Sequence, residues 1–63
     1  MDNITIADLG IVNRYRVYDI NLGHYIYSYL DLSAPGDIPP DIAFLPVLGM
    51  RIVNGILYID TIS

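Results

Sequence analysis

The chain has 63 residues, no cysteine, 54% hydrophobic side chains and a net charge of −4 from seven Asp against three Arg. That length admits one domain, residues 1–63, and the missing cysteines together with a single imidazole, His24, exclude the disulfides and structural zinc that commonly stabilise so small a core. Three Arg in a net acidic chain are too few to displace phosphate counterions, so nucleic-acid binding is excluded as a function class.

Charged residues make up only 16% of the chain, against about a quarter in ordinary soluble domains. So small an interior cannot hide that much apolar side chain, and part of it is expected to lie in an interface, with closed homo-oligomers the usual solution. Lys, Glu and Gln, the usual cover of exposed helix faces, are all absent, whereas eleven Ile, four Val and six Tyr suit a pleated, half-buried surface. The expected fold class is therefore all-β.

Met1-Asp2-Asn3 has no basic region and no continuous apolar segment behind it, so no signal peptide is read there. Asn3-Ile4-Thr5 matches a glycosylation sequon and is read as a chance match. In the same segment Ile4 and Ile6 alternate with polar neighbours, which predicts a short N-terminal strand before Gly10 and Asn13.

Two strand-like runs follow, Arg14 to Ile20 and His24 to Leu32, predicting a hairpin over about 14–32 around Asn21-Leu22-Gly23. A three-residue loop with Gly23 in the left-handed position would pair Tyr15 with Tyr29 and Val17 with Tyr27; a two-residue loop would pair Arg16 with Tyr29 and Tyr18 with Tyr27. By period-2 alternation Tyr25, Tyr27, Tyr29 and Asp31 share one face, and His24, Ile26, Ser28, Leu30 and Leu32 the other. Both faces are partly apolar, as expected of a strand held between a core and a subunit.

Residues 33–41 read as a Pro-rich connector. Pro35-Gly36 has the sequence of a type II turn, and residues preceding Pro39 and Pro40 avoid the helical region, so the segment is stiff and extended. Ile42 to Leu48 reads as a short strand or extended arm, with Pro46 confining any pairing to an edge. The run from Ile42 to Met50 is too short to span a bilayer, and no transmembrane segment is read.

A second hairpin is predicted over about 47–62, because Asn54-Gly55 supplies the two positive-φ residues of a type I′ turn between apolar runs. Its register opposes Val53 to Ile56, Ile52 to Leu57, Arg51 to Tyr58 and Met50 to Ile59. Met50, Ile52, Leu57 and Ile59 then form the expected core face, extended by Leu48 and Thr61. On the opposite face Arg51 can stack on Tyr58 and reach Asp60.

The chemistry-bearing residues are sparse. His24 has the only side chain whose ordinary pKa lies near neutrality, but no partner at relay spacing accompanies it, so it is read as a turn-flanking or interface histidine. Asp37 and Asp41 bracket the Pro pair without a calcium-loop pattern and are read as solvated. No catalytic, metal or cofactor residues are assigned, and no enzymatic activity is expected. Tyr15, Tyr18, Tyr25, Tyr27 and Tyr29 with Arg14 and Arg16 could stack bases, sugars or Pro-rich peptides, but either register uses them in packing or a subunit interface, which is the reading adopted. The dispersed Asp residues fit solubility better than mimicry of an acidic ligand.

The stretch Gly36-Asp37-Ile38-Pro39-Pro40, leading to the Arg51, Asn54-Gly55 and Tyr58 hairpin, resembles the C-terminal foldon-like trimerisation modules of phage fibres. The resemblance spans residues 36–63 and implies a trimer interface of Ile38, Leu48, Ile52 and Leu57. Arm-to-hairpin spacing and Pro46 depart from the family pattern. The expected function is a non-enzymatic, homo-oligomeric structural or assembly module of a virion or fibre, with interface candidates Tyr25, Tyr27, Tyr29, Ile38, Leu48, Arg51, Ile52, Leu57 and Tyr58. The alternative is a small acidic binding protein or inhibitor that docks on a larger host protein through Asp side chains or an added strand.

Overall fold

The computed structural model describes residues 4–10, 13–31 and 37–63. Four strands, β1 (Tyr15–Asp19), β2 (His24–Tyr29), β3 (Gly49–Val53) and β4 (Ile56–Thr61), form one sheet in the order β2-β1-β4-β3. The all-β expectation and both hairpins are borne out, and the sheet is mixed. β1 pairs antiparallel with β2 and β3 antiparallel with β4, while the hairpins join through parallel pairing of β1 with β4. A crossover between the two outer strands carries a single helical turn, α1 (Pro40–Ala43), where an extended arm was expected from residue 42. Pro40 suits the start of that turn, because a first-turn residue needs no amide hydrogen. The Pro35-Gly36 turn expected in the connector lies outside the described residues.

The terminal hairpin has the register read from its turn: Val53 opposes Ile56, Ile52 opposes Leu57, Arg51 opposes Tyr58 and Met50 opposes Ile59. Asn54 and Gly55 both take positive φ, 52° and 77°, as a type I′ turn requires.

The first hairpin departs from a plain alternation. Tyr15 opposes Tyr29 and Val17 opposes Tyr27, but Tyr18 then opposes Tyr25 and Asp19 opposes His24, so Ile26 is an extra residue in β2. Such a bulge reverses the facing of everything beyond it. Tyr25 therefore lies on the face opposite Tyr27 and Tyr29, not with them as period 2 implied. The loop also has four residues, Ile20 to Gly23, instead of three; Gly23 takes the left-handed conformation and donates its N–H to Asp19 O at 2.8 Å.

Among the described residues the expected N-terminal strand is a 3₁₀ turn over Ile6–Leu9, preceded by an isolated bridge from Thr5 to Pro46. Asp8 explains the change, since its carboxylate accepts the Thr5 N–H at 2.8 Å while its own N–H donates to Thr5 O at 3.0 Å, closing the turn. Ile6 N–H donates to Leu45 O and Val47 N–H to Ile4 O, which tie the segment to the one before β3.

One face of the sheet is covered by these segments. Ile6, Ile42 and Leu45 close over Tyr15, Val17 and Ile59 to form the core, with Leu9, Ile38, Val47, Tyr27, Tyr29 and Leu57 packed at its margin. Parallel pairing sets Val17 beside Ile59 at its centre. Two polar side chains are buried with them: Thr61, whose hydroxyl donates to Pro46 O at 2.6 Å, and Asp19.

The predicted core face of the second hairpin is thus divided. Ile59 and Thr61 are buried and Leu57 half-buried, but Leu48, Met50 and Ile52 are exposed. The cause is position in the sheet: β3 is an edge strand, and the covering segments pack over β1 and β4.

Candidate functional site

The open face of the sheet carries a group of polar and aromatic residues. Tyr18, Tyr25, Arg51, Tyr58 and Asp60 line a depression of about 200 Å³ there. The bulge at Ile26 makes this grouping possible, because it turns Tyr25 toward Tyr18 and away from Tyr27. Tyr18 meets Tyr25 edge-on, with ring centroids 5.1 Å apart at 78°, and Tyr25 lies 6.5 Å from Tyr58.

Two Arg residues attach to these rings. The Arg16 guanidinium carbon sits 3.8 Å from the Tyr25 ring centre, while its Nε donates to Ser28 Oγ at 3.1 Å. Arg51 lies 5.7 Å from the Tyr58 ring centre, near the outer limit of a cation–π contact. Tyr25 is therefore already engaged by Arg16 and by Tyr18. Chemically, the depression offers ring edges, hydroxyls, one guanidinium and one carboxylate.

The remaining tyrosines of the first hairpin face the core. Tyr27 and Tyr29 lie 5.7 Å and 6.3 Å from the fully buried Tyr15 ring. Tyr15 donates its hydroxyl to Asp37 O across a long 3.4 Å, and burial, reinforced by the neighbouring Tyr27, pushes its pKa up to about 12. Burial also raises the pKa of Tyr29, with Asp31 adding to the shift. The five tyrosines weighed with Arg14 and Arg16 as a stacking platform thus split across both faces of the sheet.

Asp19 is a structural residue that the sequence reading passed over. Its Oδ1 accepts the N–H groups of Asn21 and Leu22 at 2.8 Å and 3.2 Å, fixing the turn after β1. Oδ2 is buried without a close hydrogen-bond partner among the described residues. The Ser63 hydroxyl nearby is the main influence holding this carboxyl below its ordinary pKa, despite burial, and the turn N–H groups add to it. An Asp ending a strand before a Gly-closed loop was the available signal.

Comparisons with protein-family models, with curated proteins and with solved structures find no match.

The other expected sites are dispersed. His24 is exposed at the start of β2, with Nδ1 3.1 Å from Tyr25 O; Asp37 and Asp41 are exposed. No group of three or more His, Asp, Glu or Cys able to hold a metal ion occurs among the described residues, and no helix there is long and apolar enough to cross a membrane. Of the interface candidates, Tyr27, Tyr29, Ile38 and Leu57 are half-buried against the core. Tyr25, Arg51 and Tyr58 line the open face, and Leu48 and Ile52 project from the β3 edge region.

That edge is the second distinctive surface. Leu48, just before the strand, and Met50 and Ile52 within it keep 53%, 47% and 73% of their surface exposed, and by alternation Met50 and Ile52 share one side of β3. Among the described residues no strand pairs with the outer flank of β3, which ends the sheet. Natural edge strands usually carry charge or Pro as protection; β3 offers one Arg, on the other face.

Proposed function

We propose that this chain is a non-enzymatic assembly module that works by self-association through the β3 edge. One observation carries the reading: Met50 and Ile52, with Leu48 just before them, stand uncovered along a strand whose outer flank has no partner strand among the described residues. Monomeric proteins rarely leave such an edge bare, since it is a template for pairing with another chain. The apolar excess agrees, for eleven large apolar side chains are exposed among the described residues while only six form the core. The resemblance of residues 36–63 to phage-fibre end modules supports a structural role in a virion or fibre.

Light scattering across a dilution series tests the proposal. The expected result is an oligomer that dissociates on dilution, and an Ile52→Asp variant that stays folded by circular dichroism but runs as a monomer. A wild-type chain that remains a folded monomer at micromolar concentration would sink it, leaving docking on a different, larger protein as the reading to pursue.

A further inference from the structure

Resting on the self-association just proposed, we infer that two copies pair β3 to β3 antiparallel about a twofold axis centred on Met50, with each Arg51 reaching across the bare Gly49 of the other copy to its Asp60. The argument begins with the direction of the backbone groups. In a hairpin with a two-residue loop, the residues flanking the turn form a hydrogen-bonded pair, and such pairs then alternate along the ladder. Val53, Arg51 and Gly49 thus direct their N–H and C=O groups inward to β4, while Met50 and Ile52 direct theirs to the free edge.

Twofold pairing of like strands sets residues of the same face opposite each other, so the axis must pass through a residue. Three centres lie inside the strand, clear of its end residues Gly49 and Val53, and side-chain chemistry separates them. An axis at Arg51 sets two guanidinium-bearing residues directly opposite, an unfavourable like-charge pair. An axis at Ile52 sets Arg51 against Val53 and Met50 against the turn residue Asn54. An axis at Met50 sets Met50 against itself and Ile52 against Leu48, bringing exposed apolar residues of both copies to the seam.

The same register resolves the charges. Gly49, which would face Arg51 of the other copy, pairs with Asp60 on β4, and Asp60 Oδ2 lies 3.6 Å from where a Cβ on Gly49 would sit. With no side chain at Gly49, the path between that Asp60 and the incoming Arg51 is open. The two Cα atoms would be about 10 Å apart, one hydrogen-bonded and one non-hydrogen-bonded antiparallel spacing, well within the combined reach of Arg and Asp. Arg51 is free to turn that way because its contact with Tyr58 is loose, at 5.7 Å.

Backbone pairing is also consistent. Met50 of each copy exchanges both hydrogen bonds with its counterpart, and each Ile52 N–H meets the C=O of the opposite Leu48. The Leu48 N–H is already donated to Asp60 O at 2.8 Å and needs no further acceptor. The result is one continuous eight-stranded sheet. This isologous contact closes at two copies and differs from the threefold arrangement implied by the fibre resemblance.

Because the chain has no Cys, single cysteines report the register directly. Met50→Cys, Arg51→Cys and Ile52→Cys are oxidised in parallel at a concentration where the wild type is associated, and disulfide-linked dimer is followed with time. A Cα spacing near 5.5 Å at the axis suits a disulfide, so Met50→Cys should cross-link roughly tenfold faster than the other two. Faster linkage at Arg51→Cys or Ile52→Cys, or none at any position in a protein that light scattering shows to be dimeric, overturns this register while leaving self-association intact. A wild-type trimer or monomer overturns the twofold pair itself, and the monomer overturns the functional reading as well. As a second arm, Arg51→Asp should weaken dimerisation roughly tenfold and Arg51→Asp/Asp60→Arg should restore it. Equal weakening in the single and the double variant refutes the pairing of those two residues.

Discussion

Replacing Gly55 by Val probes the turn that sets the register of the terminal hairpin. Gly55 sits at φ 77°, where a β-branched side chain is strained by about 1–3 kcal/mol. Removing Gly also restricts the unfolded chain, which offsets about 0.4–1 kcal/mol of that cost. A second contribution is steric: a Cβ on Gly55 would lie 2.5 Å from an Arg14 guanidinium nitrogen. That nitrogen is the far end of a flexible side chain and can move aside at little cost. The expected net loss is about 1–2 kcal/mol, which for a domain this small lowers Tm by roughly 4–16 °C. Urea unfolding followed by far-ultraviolet circular dichroism measures it, at one fixed protein concentration because association shifts apparent stability. Repeating the substitution with Arg14→Ala separates the two causes: a backbone cost stays the same within about 0.5 kcal/mol, whereas a clash disappears. A Gly55→Val protein that unfolds at the wild-type urea concentration would refute the positive-φ turn and every register assignment built on it.

Other expectations follow from the core and its titrating groups. Ile6→Ala should cost about 2–5 kcal/mol, because Ile6 is fully buried between the sheet and Leu45; denaturant titration measures it, and a loss below about 1 kcal/mol would show that the 3₁₀ turn is not packed down. The Asp19 carboxyl is held below its ordinary 3.8, so its contribution is present above that pH and is lost as pH falls through the folded value. Asp19→Asn should therefore flatten the acid limb of the stability profile, and an unchanged acid limb would count against the carboxylate anchor. Tyr15 has the opposite sense, with a pKa raised from 10.0 to about 12, so its contribution is complete below pH 10 and fades as pH rises toward 12. Ultraviolet titration should find a late-ionising tyrosine that is missing in Tyr15→Phe.

The parts of the fold that were legible are those in which a local pattern has one solution. Asn54-Gly55 demanded two positive φ values, and the whole β3–β4 register followed from it. The bulge at Ile26 was hidden because period-2 alternation carries no mark of an inserted residue, and one inserted position was enough to move Tyr25 to the other face. The N-terminal strand was misread for a different reason. Ile4-Thr5-Ile6 is too short to distinguish alternation from a turn, and the deciding group, the Asp8 carboxylate, acts on a backbone N–H three residues away. Apolar periodicity in β3 gave the correct face but not its burial, which depends on how far Ile6, Ile42 and Leu45 extend across the sheet. Both interaction surfaces have the same origin. The Tyr25, Tyr58 and Arg51 cluster required the bulge, and the exposed Met50 and Ile52 required a strand order that no local signal encodes.

The parallel contact between β1 and β4 has a consequence for how the chain is made. Tyr15 pairs with Leu57 and Val17 with Ile59, so the centre of the sheet joins residues separated by most of the sequence. In the first hairpin Tyr27 and Tyr29 already reach the Tyr15 ring, but the flank of β1 that pairs with β4 stays open until β4 arrives. At a synthesis rate of about 5–20 residues per second, that flank stays open for seconds. Folding is consequently late and all at once, on the slower timescale of non-local β topologies. Throughout that interval the nascent chain competes with its neighbours for the same strand edges.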